Sequence, residues 1–295
     1  MSNNLVVVVT GTSRGVGKGI TNSLAQFKHS RPLVIYATSR AGIDTGVVPI
    51  APNKVKYGKL DITNAESIKS FFETVLQEHT GIDVLINNAA FSNVHQEDPD
   101  IASQTIWNNY GGTRDMCEAF LSQPSIPDGT RIVNLTSGLN ALSTYGPDVQ
   151  VRFRHASKIA NIDALAKDYL NDMRNGPDAQ ERAGWRSGPR SYHVSKALIN
   201  TLTIVLANQY PNVLVNCCCP GWTDTDMGRQ GKGTPPKTPE EGAMTAVRLA
   251  IGELGPGGDE DGGLGKETER ISGLFYENDS IVGKGWGKGK KWLET

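Results

Sequence analysis

The segment from Leu5 to Phe27 contains the pattern that most restricts how this chain can fold. Leu5–Val9 is a continuous apolar and β-branched run, which is typical of a parallel strand buried on both faces. Thr10–Gly17 follows with glycines spaced G-x-x-x-G-x-G, and a helical pattern then continues to about Phe27. Glycines at such a junction allow a tight turn and the close approach of a phosphate, which a helix N-terminus attracts. An ordinary glycine-rich turn is the alternative, but the flanking strand and helix favour a nucleotide-binding loop.

Strand and helix patterns alternate along the rest of the chain. Further strands are predicted at residues 33–37, 54–59, 83–86, 131–135 and 213–217, with a last edge strand at 273–276. Helical patterns lie between them, and in the one from Ile101 to Leu121 the pair Gly111-Gly112 indicates close packing or a bend. We therefore predict an α/β fold with a doubly wound parallel sheet (a Rossmann fold), forming a single domain over residues 1–295. Ligands of such sheets bind beyond the carboxyl ends of the strands.

Three segments are expected to lie outside this alternation. Residues 139–191 form a predicted helical insertion, with an apolar stripe from Ile159 to Leu170 and a polar loop at about 175–189. Gly255–Gly265 is rich in glycine and acidic residues, which predicts a mobile surface loop. The glycine- and lysine-rich segment 278–295 is predicted to be a loosely ordered tail.

A helix predicted from Ser191 to about Tyr210 carries Tyr192 and Lys196, which stand four residues apart and therefore on one face. A free phenol has a pKa of about 10, and a neighbouring ammonium lowers that pKa by favouring the phenolate. Such a pair suits Tyr192 to donate a proton to a carbonyl that is being reduced. Tyr-x-x-x-Lys often arises by chance, but of the eight tyrosines only Tyr192 has a lysine four residues on.

The end of the second predicted strand indicates which dinucleotide binds. An NAD site would place an acidic residue there to hold the ribose 2′-hydroxyl, whereas this strand ends in Ser39 and Arg40. Arg40 and Arg14 suit a 2′-phosphate through charge-assisted bonds, so we predict NADP(H). Asp44 is the one nearby acid that could contest this, and Arg40 could instead cap a solvated strand end. Asp61 could accept a bond from the adenine amine or cap the following helix.

Two more loops leave the carboxyl ends of predicted strands. The small residues of Asn87–Ala90 would let a nucleotide lie against the backbone, while the Asn amides brace neighbouring strand ends. Pro220–Asp226 follows the strand at 213–217. The full predicted cofactor-binding set is Gly11, Ser13, Arg14, Gly15, Val16, Gly17, Arg40, Asp61, Ile62, Asn88, Ala89, Tyr192, Lys196, Pro220, Gly221, Thr223 and Thr225.

Composition excludes several classes of protein. The 30 basic and 31 acidic residues nearly balance, which argues against nucleic acid or an anionic membrane as the main partner. The longest apolar run, Leu5–Val9, has the length of a strand and not of a membrane span. The cysteines, Cys117 and Cys217–Cys219, lack the spacing of a metal site and make poor disulfide partners. We expect no metal and a reduced, cytoplasmic protein.

Taken together, these motifs resemble those of the short-chain dehydrogenase/reductase family. The resemblance covers residues 5–276 and rests on Thr10-Gly11-x-x-x-Gly15-x-Gly17, Asn87-Asn88-Ala89, Ser137, Tyr192-x-x-x-Lys196 and Pro220-Gly221. Residues 109–115, residues 216–222 and the wide gap between Ser137 and Tyr192 are similar to the NADPH-dependent carbonyl reductase branch. The chain departs from the usual family pattern in two places, with Ala90 where most members have glycine and Thr136 before Ser137.

The resemblance implies a role for four residues. Ser137 would orient the substrate carbonyl, Tyr192 would be the acid/base, and Lys196 would lower the pKa of Tyr192 and bind the nicotinamide ribose. Asn109 would anchor a water-linked proton relay. In this branch the added segment covers the surface through which other members dimerise, so the resemblance also suggests a monomer.

The function predicted from these residues is the NADPH-dependent reduction of a carbonyl, in a ketone, aldehyde or quinone, to an alcohol. A redox sensor that binds the dinucleotide without catalysis remains open, because fold alone does not fix function. A dehydrogenase of one specific secondary alcohol is the third alternative. Substrate contacts are expected from residues 91–96, 139–145 and 222–229, where Phe91 and Trp222 suggest an apolar, aromatic substrate or simply pack. Cys219 is expected to be a buried structural thiol, and a reactive thiol is the alternative.

Overall fold

The computed structural model describes residues 4–93, 97–127, 129–252, 271–278 and 280–295. Over these ranges the chain forms one eight-stranded sheet in the order β3-β2-β1-β4-β5-β6-β7-β8. The strands are β1 Leu5–Thr10, β2 Leu33–Ser39, β3 Lys54–Lys59, β4 Val84–Asn87, β5 Arg131–Leu135, β6 Leu214–Cys218, β7 Phe275–Glu277 and β8 Lys288–Lys290. β1 pairs in parallel with β2 and with β4, and the sheet stays parallel as far as β7. The predicted doubly wound α/β fold is confirmed.

Helices pack against both faces of this sheet. They are α1 Gly15–Ala25, α2 Ala65–Glu78, α3 Pro99–Ile106, α4 Gly112–Leu121, α5 Pro147–His155, α6 Ile159–Arg174, α7 Pro177–Arg182, α8 Ser191–Gln209 and α9 Pro239–Ile251. Successive side chains of β1 point to opposite faces of the sheet, because side chains alternate along a strand. Val7 and Val9 pack with α1 and α9, while Val6 and Val8 pack with α2, α4 and α8. A buried parallel sheet of this kind requires the continuous apolar run seen in the sequence.

The helical pattern from Ile101 to Leu121 is interrupted where the glycine pair predicted a bend. Residues Trp107–Gly111 form a π-helical turn between α3 and α4. A Cβ on Gly112 would lie 2.8 Å from Cδ1 and 3.0 Å from the carbonyl oxygen of Ile62, so glycine lets this helix approach the loop after β3 closely. π-turns inside helices are frequent at functional sites, and this one contains Asn109.

The insertion before α8 is built from α5, α6 and α7 around an aromatic core. The rings of Phe153 and Trp185 lie 6.3 Å apart, and Trp185 contacts Tyr169 with ring centroids 5.4 Å apart. The segment expected to be a polar loop at 175–189 therefore contains a helix, α7, because Pro177 starts it and Gln180 is buried against the insertion. The mobile loop expected at Gly255–Gly265 lies outside the described residues.

The C-terminal segment corrects the expectation of a loosely ordered tail. Residues Lys288–Lys290 pair antiparallel with β7, so β7 is not the edge strand that its position in the sequence suggested. Trp292 is 1% exposed, packs on Phe153 and donates from Nε1 to the carbonyl of Asn140 at 3.1 Å. Burial of one large aromatic side chain supplies the order that the surrounding glycines and lysines lack.

Within the described ranges, no helix combines the length and the apolar character needed to cross a bilayer.

Candidate active site

In the loop between β1 and α1, the glycines lie so close to neighbouring atoms that larger residues would not fit. Gly11 and Gly15 have φ values of +70° and +57°, which favour glycine. A Cβ on Gly11 would lie 2.8 Å from Cα of Ala89, and one on Gly17 would collide with the carbonyl oxygen of Gly11. Arg14 occupies the N-cap of α1 without a side-chain bond to the helix, so no side chain caps its first N–H groups. Such a helix end binds an anion.

Asn88 fixes the neighbouring strand end against this loop. Its Nδ2 donates to the carbonyls of Thr10 and Gly11, at 2.9 and 3.0 Å, and its backbone N–H donates to Oγ1 of Thr10 at 3.0 Å. The backbone N–H of Ala89 donates to the same hydroxyl at 3.0 Å. The Asn amide therefore braces two strand ends, as the sequence predicted.

These strand ends open into a cleft of about 660 Å³. It collects most of the predicted cofactor set, namely Gly11, Ser13, Arg14, Gly15, Val16, Gly17, Arg40, Asp61, Ile62, Asn88, Ala89, Tyr192, Lys196, Pro220 and Thr225. Gly221, Thr223, Ser137 and Asn109 do not line it. Thr223 is instead 4% exposed and packs under α9, since a Cβ on Gly242 would lie 2.5 Å from its hydroxyl.

Arg40 and Asp61 stand together at the end of the cleft beside β2. Arg40 is exposed and lines the wall next to Asp61, whereas Asp44 lies outside the cleft and accepts a bond from the Gly46 N–H at 2.7 Å. Asp44 therefore does not contest a phosphate at this position. The hydroxyl and N–H of Thr63, followed by the charge of Arg40, hold the pKa of Asp61 below its usual range. Asn64, and not Asp61, caps α2.

Arg14, which is predicted to bind the 2′-phosphate, has a partner within the chain. Its guanidinium pairs with the carboxylate of Asp226 across the mouth of the cleft, and both side chains are largely exposed. This pair could not be predicted from a local motif, because the two residues lie 212 positions apart. An exposed ion pair is weak, so Arg14 remains available to a competing phosphate.

The inner end of the cleft holds the Tyr192 phenol. Tyr192 stands in the first turn of α8 and is partly exposed to the cleft, and Nζ of Lys196 lies 5.6 Å from the centre of its ring. The Lys196 ammonium donates to the carbonyl of Leu135 at 3.0 Å. Ser137, which is 8% exposed, follows the end of β5 and lies close enough to the phenol to lower its pKa. Three residues predicted to act together therefore do meet at one point.

The short chain dehydrogenase family model matches residues 5–162, more than half of the chain. This chain belongs to the short-chain dehydrogenase family. It is similar to carbonyl reductase (NADPH) 3 of Rattus norvegicus, with 34% identity over 262 residues, 83% of this chain and 90% of that protein. Carbonyl reductase (NADPH) 1 of Sus scrofa is 31% identical over 295 residues, 95% of this chain and 94% of that protein.

Solved structures share the architecture. Salutaridine reductase from Papaver somniferum superimposes with a TM-score of 0.73 at 24% identity, covering 93% of this chain and all of that one. The NADPH-bound carbonyl reductase from chicken fatty liver has a TM-score of 0.61 at 19% identity, covering 95% and 97%. At these identities the likeness concerns the fold.

In this short-chain dehydrogenase, the pKa of Tyr192 shifts in the direction opposite to the one expected from the sequence. Lys196 was expected to lower the pKa of Tyr192, but burial raises that pKa, a negative charge on Cys219 raises it further, and the nearby Ser137 opposes the rise. The Lys196 ammonium is directed to the Leu135 carbonyl and not to the phenol oxygen, which explains the difference. Burial lowers the pKa of Lys196 itself to about 8.

Asn109 is fully buried in the π-turn and braces the site from behind. Its Oδ1 accepts from the Phe91 N–H at 2.7 Å, and its Nδ2 donates to the Phe91 carbonyl and to Oγ of Ser195, at 2.9 and 3.0 Å. Ser195 in turn donates to the carbonyl of Tyr192 at 2.7 Å. The Asn109 side chain therefore joins the loop after β4 to the helix that carries the phenol.

Sequence reasoning missed several residues of the site. Glu97 accepts from the Ser191 N–H at 2.9 Å and from the Tyr169 hydroxyl at 2.8 Å, so it caps α8 across 94 positions of sequence. No local signal could have found that cap. Gln104 and Asn108 line the cleft, and their spacing of four on a predicted helix was a signal that could have found them.

The expected substrate loops are only partly at the cleft. Phe91, Asp224, Met227 and Arg229 line it, whereas residues 94–96 lie outside the described ranges. Trp222 does not line it; its Nε1 donates to the Gly228 carbonyl at 2.8 Å. Trp222 therefore packs within its own loop and does not indicate an aromatic substrate. Burial raises the pKa of the Cys219 thiol, as expected of a structural cysteine.

Proposed function

We propose that this chain is an NADPH-dependent oxidoreductase that reduces the carbonyl of a ketone, aldehyde or quinone to an alcohol. The observation that carries the proposal is one cleft with the glycine loop and Arg40 at one end and Tyr192 and Lys196 at the other, where Ser137 lies next to the phenol. The relatives named carbonyl reductase (NADPH) support the same activity and the same cofactor.

NADP(H) fits the residues that line the cleft. Gly11 and Gly17 leave space that a Cβ would fill, and the N-terminus of α1 offers N–H groups to the pyrophosphate. Arg40 stands where the 2′-phosphate would lie, without an acidic competitor from Asp44. When bound, NADPH supplies the hydride that reaches the carbonyl carbon.

Tyr192 supplies the proton to the carbonyl oxygen. Burial raises its pKa, so the phenol is protonated at neutral pH and ready to act as the acid in the direction of reduction. Ser137 donates a hydrogen bond to the same oxygen as negative charge grows there, an effect typically worth a few kcal/mol. Lys196, whose ammonium is fixed by its bond to the Leu135 carbonyl, holds the nicotinamide ribose.

The insertion supports a monomer. α6 packs against α8, so the face of the catalytic helix is covered by the chain's own residues, including Leu165 and Tyr169. The four cysteines are free thiols, which suits a reducing compartment such as the cytoplasm.

The proposal is tested by following NADPH oxidation with a panel of quinones, diketones and aromatic aldehydes, and with NADH in parallel. We expect turnover with NADPH to exceed turnover with NADH on at least one class of carbonyl. Tight NADPH binding without turnover on any member would favour a redox sensor, and oxidation of one secondary alcohol alone would favour a specific dehydrogenase.

A further inference from the structure

Lys237 is buried beside the turn formed by Pro220 and Gly221. It is 1% exposed and directly precedes Thr238, the N-cap of α9. Lysine is almost never fully buried unless its charge has a partner, because removing an ammonium from water is costly. The burial of Lys237 therefore indicates a role in addition to packing.

The backbone of Lys237 is held against the loop that follows this turn. The Asp224 N–H donates to the Lys237 carbonyl at 2.7 Å, and the Lys237 N–H donates to the Trp222 carbonyl at 3.4 Å. Thr223 and Lys237 form a short parallel bridge. These bonds fix the backbone from which the Lys237 side chain extends to the turn.

The ammonium reaches the turn itself. Nζ donates to the Pro220 carbonyl at 3.3 Å, which is a neutral acceptor. Gly221 has a φ of +75°, and a Cβ there would lie 2.5 Å from Nζ, so the turn and the ammonium fit together only because residue 221 is glycine. Burial lowers the pKa of Lys237, and the charge of Glu241 offsets only part of that effect.

The turn lies at the reacting end of the cleft. Pro220 lines the cleft with Tyr192 and Lys196, whereas the glycine loop and Arg40 line the part that would hold the phosphates and adenosine. We propose that Lys237 is a positioning residue, whose buried ammonium holds the Pro220–Gly221 turn against the nicotinamide half of the bound dinucleotide. This inference rests on the proposed function, because it assumes that the cleft binds NADP(H).

The test compares two ligands that share the adenosine 2′-phosphate half. NADPH contains the nicotinamide, whereas adenosine 2′,5′-bisphosphate lacks it. In Lys237→Met, which keeps an unbranched apolar chain without the charge, we expect the NADPH dissociation constant to rise about tenfold, the effect expected of one hydrogen bond to a charged group. The dissociation constant of adenosine 2′,5′-bisphosphate should stay within about twofold.

Thermal unfolding of the ligand-free protein separates positioning from stability. Replacing a buried charge by an apolar side chain is often neutral or stabilising, so the unfolding temperature of Lys237→Met should not fall. Lys284→Met is the matched control, because Lys284 is about half exposed and pairs with Glu241 near the same helix end. It should change neither dissociation constant.

An NADPH dissociation constant unchanged in Lys237→Met would overturn the inference. So would an equal loss for both ligands accompanied by a lower unfolding temperature, since that pattern marks a purely structural lysine. Both measurements are made without turnover. Absence of carbonyl reduction in a wild-type protein that binds NADPH would therefore count against the proposed function alone.

Discussion

The ammonium of Lys196 donates a hydrogen bond to the carbonyl oxygen of Leu135, 3.0 Å away, at the carboxyl end of β5. This bond ties the catalytic helix to the central sheet beside the strand end that leads to Ser137. It also leaves a cation with 3% exposure next to a neutral acceptor. The bond therefore fixes the position of Lys196 and leaves the cost of burying its charge largely uncompensated.

The burial of Lys196 makes stability depend on pH. Its pKa falls from 10.5 to about 8 on folding, so between these values the unfolded chain binds a proton that the folded protein does not. The contribution of Lys196 to the free energy of unfolding should therefore increase between pH 8 and pH 10.5, by at most on the order of 3 kcal/mol. Urea unfolding of the ligand-free wild type and of Lys196→Met across this range measures the difference. A difference that does not change with pH would contradict the prediction.

Arg40 should determine the preference for a 2′-phosphate. Arg40→Ala is expected to raise the dissociation constant of adenosine 2′,5′-bisphosphate at least tenfold, because a charge-assisted bond to the phosphate is lost. The dissociation constant of 5′-AMP, which lacks that phosphate, should barely change. Arg14→Ala should have a smaller effect, since Arg14 already pairs with Asp226. Equal losses for both ligands in Arg40→Ala would mean that Arg40 does not read the 2′-phosphate.

Trp292 should carry much of the stability contributed by the C-terminal segment. Trp292→Ala removes a side chain that is 1% exposed and is expected to lower the free energy of unfolding by about 3–5 kcal/mol. Trp286→Ala, at a tryptophan that is 38% exposed, is the matched control and should cost less than about 1 kcal/mol. Denaturant unfolding monitored by far-UV circular dichroism compares them. Equally small losses of stability in both variants would support the loosely ordered tail that was predicted from the sequence.

Local patterns made most of the sheet predictable. A buried parallel strand such as Leu5–Val9 needs a continuous apolar run, and a phosphate loop needs glycine where a Cβ would collide, as at Gly17. Both requirements are met by residues adjacent in sequence. The strand, the loop and α1 could therefore be predicted from the sequence, and so could the spacing of Tyr192 and Lys196 on one helix face.

Several of the features that the sequence did not predict depend on partners that are not neighbours in the chain. β8 is a short glycine- and lysine-rich segment, and it is a strand only because β7 pairs with it. Glu97 caps α8, and Asp226 pairs with Arg14, without any local motif. The pKa of Tyr192 was expected to fall because the sequence shows its neighbouring cation but not its burial. Tertiary enclosure, which periodicity does not reveal, decides each of these outcomes.

The central claim is that Tyr192 gives the proton to the carbonyl oxygen, and Tyr192→Phe tests it most directly. The ring remains to fill the site while the hydroxyl is lost, so the NADPH dissociation constant should change by less than about threefold. The rate of NADPH oxidation with the best carbonyl substrate should fall by about 10²–10⁴, the usual contribution of a positioned acid. Tyr210→Phe, at the far end of the same helix, is the control and should retain wild-type rates. A Tyr192→Phe protein that binds NADPH and keeps more than about a tenth of the wild-type rate would contradict the account.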